Sequence, residues 1–202
     1  MQGNSMDYIF GYGSLICEDS RNRTGTSGAA YAIEVDGISR NWSVHTPDWP
    51  ATAVSVQQVD TARCTGVYFA VDKDNLAQFD KREQGYDRIE IPWHKAAPVC
   101  DQALPCQGKL WVYVGTQNDV TPLPERPIMQ SYLDVILNGC LDFNEHFAVR
   151  FLQLTGHWQH LIDDRQSPKY LRPLSSTERL ADIDQLIKQH QPELWADRKT
   201  LE

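Results

Sequence analysis

Two short segments carry residue types whose spacing suits chemistry. The first is Gly11-Tyr12-Gly13-Ser14-Leu15, directly after the apolar run Tyr8-Ile9-Phe10. A glycine-rich turn after a buried strand can aim successive backbone N–H groups into one concavity, a nest that suits an anion. Glycine allows the backbone angles and the close ligand approach that a nest needs. The same residues also fit a β-bulge or tight turn that binds nothing. The second segment is Phe79-Asp80-Lys81-Arg82-Glu83-Gln84-Gly85-Tyr86. If a helix capped by Asp72 runs to residue 83, then Leu76, Phe79 and Glu83 share its apolar face. Glu83 is then a carboxylate aimed inward, whereas Asp80, Lys81 and Arg82 have less reason to be. Desolvation raises the pKa of such a group towards values useful for proton transfer near neutral pH. The competing arrangement has Glu83 in solvent or paired with Arg82 or Arg88.

Other chemistries find little support. There is no Walker lysine loop, His-Glu-x-x-His helix or Gly-x-Ser-x-Gly elbow. Gly11-Tyr12-Gly13 lacks the third glycine and long helix of a dinucleotide site. His157 and His160 would share one helical face and could begin a metal site, but no third ligand lies near, so surface or capping roles are expected. The five cysteines (Cys17, Cys64, Cys100, Cys106 and Cys140) are odd in number and scattered. Only Cys100 and Cys106 lie close, at no common zinc or redox spacing, so reduced thiols in a cytoplasmic protein are expected.

The elements that must position these segments divide in two. Residues 7–120 read mostly as strands: Tyr8–Phe10, Ala30–Val35, Ala53–Val56, Gly66–Val71, Tyr86–Trp93 and Lys109–Val114. One helix, Lys73 to Arg82 behind Asp72, interrupts them. Residues 121–202 read as mainly helical. Pro127 suits a first helical position, with Ile128, Tyr132, Val135, Ile136 and Cys140 as the apolar stripe and Asn138-Gly139 weakening the end. A second helix turns Phe147, Phe151, Leu152 and Leu154 inward and stops at Gly156. Ser175 or Ser176 can cap a last helix carrying Leu180, Ile183 and Leu186. The expected fold is α+β, a small mixed or antiparallel β-barrel with helices packed around it, in one domain spanning residues 1–202.

The composition narrows the partners. Nineteen Lys plus Arg against 27 Asp plus Glu leave a formal charge of −8, which weighs against nucleic acid because phosphate binding needs clustered cations. No stretch approaches the roughly 18 apolar residues of a membrane helix. The N-terminus has no basic residue or long apolar run and is not expected to be a signal peptide; either Met1 or Met6 can be the native start.

Taken together and in this order, the two segments resemble a known family. Ile9-Phe10-Gly11-Tyr12-Gly13-Ser14-Leu15-Ile16 is similar to the signature of the gamma-glutamylcyclotransferase superfamily, closest to its ChaC-like branch. Phe79 to Tyr86 resembles the segment in which that superfamily places its catalytic glutamate. The helix Ser131–Leu137, followed by Asp163-Asp164-Arg165 and Pro168-Lys169-Tyr170, is similar to some bacterial relatives, so the resemblance covers roughly residues 7–172. Two departures stand out. Only Gln84 and Gly85 separate Glu83 from Tyr86, a shorter link than in the best-known members, and Leu15 stands where animal enzymes tend to carry asparagine.

The resemblance implies an intramolecular reaction. The α-amine of a γ-glutamyl group attacks its own γ-carbonyl, closing 5-oxoproline and expelling the attached amine, amino acid or peptide. It makes Glu83 the general base and acid. The turn Tyr12-Gly13-Ser14-Leu15 would grip the glutamyl α-carboxylate, Ser14 or a backbone N–H would steady the oxyanion, and Tyr86 would hold Glu83 or the substrate unless it is a core aromatic. The partner is a small γ-glutamyl molecule, glutathione or another. No metal or cofactor is required and no covalent intermediate, so Cys17 is not expected to be a nucleophile. Trp42, Trp49, Trp93 and Tyr170 are candidates for the leaving-group side. The alternatives are a lyase or transferase acting on γ-glutamyl amines, and a non-catalytic γ-glutamyl-binding module. Oligomeric state is open.

Overall fold

The computed structural model describes residues 6–25, 28–46, 49–115 and 125–201. Residues 1–5, and with them the choice of native start, lie outside the described residues, as does the expected boundary between residues 120 and 121.

Alternating and clustered β-formers produce a sheet built on one long hairpin. Strands β2 (Ala30–Thr46) and β3 (Trp49–Val71) pair antiparallel along most of their length. Ala30–Val35, Ala53–Val56 and Gly66–Val71, read from sequence as separate short strands, are parts of these two. The stretch between the last two, Gln58 to Thr61, is exposed, so its polar side chains sit in a continuous strand without breaking it. Strand β1 (Asp7–Gly11) lies between β3, antiparallel, and β6 (Leu110–Gly115), parallel, and β6 pairs in turn with β4 (Tyr86–Ile91). The short strand β5 (Ala96–Pro98) closes the other side, on β2.

The order β4-β6-β1-β3-β2-β5 is an open path. Register shifts at Asp36/Ile38 and Trp42/Val44 bend the hairpin, so that the first half of β3 returns across the end of β6. There a Cβ on Gly115 would stand 2.6 Å from Ser55 Oγ. The sheet is thus a half-barrel, mostly antiparallel, with helices packed on the face that carries Ile9, Val67 and Phe69, while Phe10, Val35, Tyr68 and Val112 form a second, helix-free cluster on the other: the α+β architecture expected. A core runs from Ile9, Phe69 and Phe79 through to Leu133, Phe147 and Ile183, joining sheet and helices.

The helices follow their apolar periods, with corrections at their ends. Helix α1 (Glu18–Asn22) is a single turn, and α2 (Lys73–Arg82) begins at Asp72, whose Oδ1 accepts the Asn75 N–H at 2.8 Å. Pro127 does not open the next helix. Ile128–Met129 instead form β7, paired with β9 (Leu161–Asp163), and α3 (Gln130–Leu141) starts after them. Helix α4 (Glu145–Leu154) buries Phe147, Phe151 and Leu152 and gives way to strand β8, Thr155–Gly156. His157 and His160 lie in irregular chain beyond it, His157 in the left-handed region at φ +57°, and not on one helical face. Helix α5 (Leu180–His190) buries Ile183 and Leu186, but Arg179 occupies its cap position because a turn at Thr177–Leu180 separates it from Ser175 and Ser176. Strand β4 stops at Ile91, before Pro92, and Trp93 enters a short 3-10 turn. Among the described residues no helix is long and apolar enough to cross a membrane.

Candidate active site

Strand β1 delivers Gly11 to a turn that becomes a 3-10 turn at Ser14–Ile16, closed by Ile16 N–H to Gly13 O at 2.9 Å. The opening N–H groups of such a turn have no partner within it. Two buried arginines hold the turn. Arg40 of β2 donates through Nη1 to Tyr12 O (3.1 Å), which fixes the Tyr12–Gly13 peptide plane and turns the Gly13 N–H away from Arg40. Arg21 of α1 donates through Nη1 to Leu15 O (2.9 Å) and Ile16 O (2.6 Å). Helix α3 lies directly behind. A Cβ on Gly139 would be 2.6 Å from the backbone of Cys17, so only glycine allows this approach.

Glu83 is reached differently from the sequence expectation. Helix α2 ends at Arg82, and Glu83 is its C-cap, its N–H bonded to Phe79 O at 2.9 Å. Tyr86 N–H then closes a turn onto Glu83 O at 3.0 Å, with Gly85 at φ +101°. A side chain other than glycine is strained at that angle, which accounts for a two-residue link that can still return the chain into β4. Fully buried Phe79 anchors the helix, and Leu76 packs beside it.

Arg82, expected to face outward, is drawn in. Its Nε lies 3.0 Å from Glu83 Oε1, with both side chains less than one-fifth exposed. Its Nη2 donates to Ser14 Oγ at 3.1 Å, and its Nη1 to Thr24 Oγ1. Arg82 thus ties the carboxylate to the glycine turn. Because Ser14 Oγ accepts from Arg82, its own O–H is left to donate. Arg88, the other partner weighed for Glu83, pairs with Asp80. Burial pushes the Glu83 pKa above the ordinary carboxylate value, and the positive charges of Arg82 and Arg172 oppose the rise.

Tyr12, Gly13, Ser14, Leu15, Glu83 and Tyr86 all line one cavity of about 560 Å³. Of the leaving-group candidates, Trp49 and Tyr170 line it as well; Trp42 is buried in the core beside it, and Trp93 packs against Tyr8 and Tyr68 elsewhere. Tyr113, Tyr132, Lys169 and Arg172 also line it, and nothing in the sequence marks them as pocket residues. Burial raises the pKa values of Tyr12, Tyr86 and Tyr132, so their phenols stay protonated. Tyr12 donates to Tyr113 O at 2.8 Å, and Tyr113 to Asp80 Oδ1 at 2.8 Å.

The loop carrying Lys169 to Arg172 is tied to α3 through Asp164, which is 1% exposed. Asp164 accepts from Ser131 N (2.8 Å), Ser131 Oγ (2.6 Å) and Lys169 N (2.7 Å). With Glu83 and Arg82 paired, Lys169 and Arg172 leave the cavity net positive, which favours an anionic ligand. Cys17 is buried and its pKa is pushed up by desolvation, so it is held as a thiol. Among the described residues no group of three or more His, Cys, Asp or Glu side chains is placed to hold a metal ion.

No protein-family model and no curated protein matches the chain. Solved structures do. A gamma-glutamyl cyclotransferase superposes with a TM-score of 0.58 at 15% identity, over 91% of this chain and 99% of that one. The uncharacterized protein loc79017 from Homo sapiens gives 0.59 at 15% identity, over 89% and 98%. YkqA from Bacillus subtilis gives 0.53 at 13%, over 73% of this chain and 53% of that one. At these identities the likeness is one of fold, and the fold is gamma-glutamylcyclotransferase-like.

Proposed function

We propose that the protein is a gamma-glutamylcyclotransferase, releasing 5-oxoproline from a γ-glutamyl compound with Glu83 as the proton carrier. The observation that carries this reading is the meeting of an inward carboxylate and a pinned glycine turn in one net-positive cavity. A solved gamma-glutamyl cyclotransferase of the same fold supports it.

The chemistry makes three demands. The substrate's α-ammonium must lose a proton before its nitrogen can attack the γ-carbonyl. Glu83 accepts that proton, and its raised pKa keeps it basic enough to do so. As the tetrahedral intermediate collapses, the C–N bond to the leaving group breaks and the protonated Glu83 returns the proton to the departing nitrogen; the second proton, still on the ring nitrogen, then passes through the freed Glu83 carboxylate to the released amine. The γ-glutamyl chain must also be folded back on itself. The N–H groups of the Gly13–Leu15 turn and the Ser14 O–H grip the α-carboxylate, and a held near-attack arrangement can contribute about 7–11 kcal/mol in favourable cases. Finally, the γ-oxygen gathers negative charge, and donors of the same loop, with the Tyr86 phenol, stand where a few kcal/mol per donor is available.

The test is Glu83→Gln, nearly isosteric. It should lower 5-oxoproline release from a γ-glutamyl substrate by about 10²–10⁴-fold, the share of general acid–base catalysis, with an unchanged circular dichroism spectrum. Normal turnover by this variant refutes the role of Glu83. Absence of 5-oxoproline from wild-type protein with every γ-glutamyl compound offered refutes the activity.

A further inference from the structure

The geometry points to Thr24 as a positioning residue, which holds the Arg82 guanidinium against both Glu83 and Ser14 and through it fixes the carboxylate that carries the proton. This rests on the function proposed above and adds a control on its base.

Thr24 does not line the cavity; it lies in the turn that ends α1. Its N–H is bonded to Arg21 O at 2.9 Å, and its hydroxyl donates to Ser20 O at 3.2 Å. A hydroxyl has one proton, so Thr24 Oγ1 meets Arg82 as an acceptor only, in a fixed orientation. The turn is also pressed onto α2: a Cβ on Gly25 would stand 3.0 Å from Asn75 Oδ1 and 3.6 Å from the Phe79 ring. One short helix thus holds both halves of the site. Arg21 grips the carbonyls of Leu15 and Ile16, and Thr24 grips Arg82.

The three guanidinium nitrogens go to three partners: Nε to Glu83, Nη2 to Ser14 Oγ and Nη1 to Thr24 Oγ1. The group is a rigid plane and is mostly buried, so an Nη1 without Thr24 pulls the whole plane towards another acceptor. Substrate bears on two of the partners, its α-carboxylate on Ser14 and its α-ammonium on Glu83. Thr24 is the anchor that substrate leaves alone. The charged groups facing Glu83 are Arg82 and, from the loop after β9, Arg172. The phenols of Tyr12, Tyr86, Tyr113 and Tyr132, which face it from the glycine turn, β4, β6 and α3, are neutral. Loosening Arg82 therefore weakens the larger opposing charge and raises the Glu83 pKa further.

The test is Thr24→Val, which keeps the shape of a partly exposed side chain and removes the acceptor. It should lower kcat for 5-oxoproline release by about tenfold to a hundredfold, the range for a base misplaced by up to about 1 Å. The acid limb of kcat/KM should move up by about 0.4–1 pH unit, the equivalent of one hydrogen bond. Thr24→Ser, which keeps the hydroxyl, should restore both. In an Arg82→Gln background Thr24→Val should add nothing, because the group it positions is gone. An unmoved limb in Thr24→Val, a Thr24→Ser protein that behaves like it, or effects that add in the double variant overturns the role of Thr24 and leaves the activity standing. Carbon-13 NMR titration of the Glu83 carboxyl needs no substrate and separates the remaining cases. If wild type releases no 5-oxoproline, a Glu83 pKa that rises in Thr24→Val but not in Thr24→Ser keeps the positioning and refutes the activity. A pKa that stays put in both then refutes both.

Discussion

Gly139 offers a test in which local propensity and packing point in opposite directions. It lies in the last turn of α3, and replacement by alanine would favour that helix by about 1 kcal/mol. The added Cβ, however, would stand 2.6 Å from Cys17 Cα and N and 2.8 Å from Ile16 C. Reaching an ordinary contact of 3.4 Å requires the backbones to part by about 0.8 Å. The turn cannot relax by recoiling along its own chain, because Arg21 holds the Leu15 and Ile16 carbonyls and Cys17 N–H is bonded to Ser14 O at 3.2 Å. Displacement therefore moves the whole turn towards the cavity. Overpacking of this kind costs about 1–3 kcal/mol, so Gly139→Ala should be net destabilised by about 0–2 kcal/mol. At about 2–4 °C per kcal/mol for a chain of this size, that lowers the melting temperature by up to about 8 °C. Misplacing the α-carboxylate grip by nearly 1 Å should cost about 10²-fold in turnover. Thermal melts and 5-oxoproline release on the same preparation read both effects, and Asn138→Ala serves as the neighbouring control. A Gly139→Ala protein that melts higher than wild type and turns over normally would refute the idea that α3 backs the turn.

Three further outcomes follow from the site. The acid limb of kcat/KM should lie above the ordinary carboxylate range, because burial raises the Glu83 pKa and activity is lost as pH falls through it. Arg82→Gln removes the first-named opposing charge, so the limb should move to still higher pH; a limb that stays put or moves down shows that Arg82 does not govern Glu83. Asp164→Ala removes the acceptor of three hydrogen bonds at a buried carboxylate. It should cost about 3 kcal/mol or more, seen as a fall of roughly 6–12 °C in the melting temperature, and should raise KM by loosening Lys169 and Tyr170. An unchanged KM in a folded Asp164→Ala protein removes that loop from the binding surface.

The parts of the site that sequence exposes are those encoded locally. The glycine turn announces itself after Tyr8-Ile9-Phe10, and Leu76, Phe79 and Glu83 share a helical period. What sequence hides is whatever depends on distant contacts. On a helix continuing to residue 83, Arg82 has less reason than Glu83 to face inward, and a Glu83–Arg82 pair is only one of the alternatives. The helix ends one residue earlier, and the cap geometry lets neighbouring side chains 82 and 83 converge. Arg40 sits in a stretch that gives no sign that an arginine is buried, because its acceptors are backbone carbonyls and hydroxyls far along the chain. Asn138-Gly139 looked like a weakness in a helix, since the partner that needs the missing side chain is Cys17, more than a hundred residues away. Pro127 and the His157/His160 pair misled for a similar reason: each fits a helix by local rules, and tertiary pairing or helix termination assigned it elsewhere.

Arg40 has a consequence that reaches beyond catalysis. It is fully buried, and its hydrogen-bond partners are neutral: the carbonyls of Tyr12, Thr65 and Phe151, the hydroxyls of Thr65 and Thr155, and the Cys64 sulfur, with the Phe151 ring 3.8 Å away. Among the described residues no carboxylate balances it, and an arginine stays charged even where burial lowers its pKa. A buried cation without a counter-ion destabilises the fold that contains it. On the function proposed above, a substrate carboxylate held by the turn in front of Tyr12 would offset part of that charge, and ligand and folded state would then be thermodynamically linked. A ligand at a hundred times its Kd stabilises the folded chain by about 2.7 kcal/mol. The lifetime of the folded protein against proteolysis would accordingly follow the supply of its own substrate.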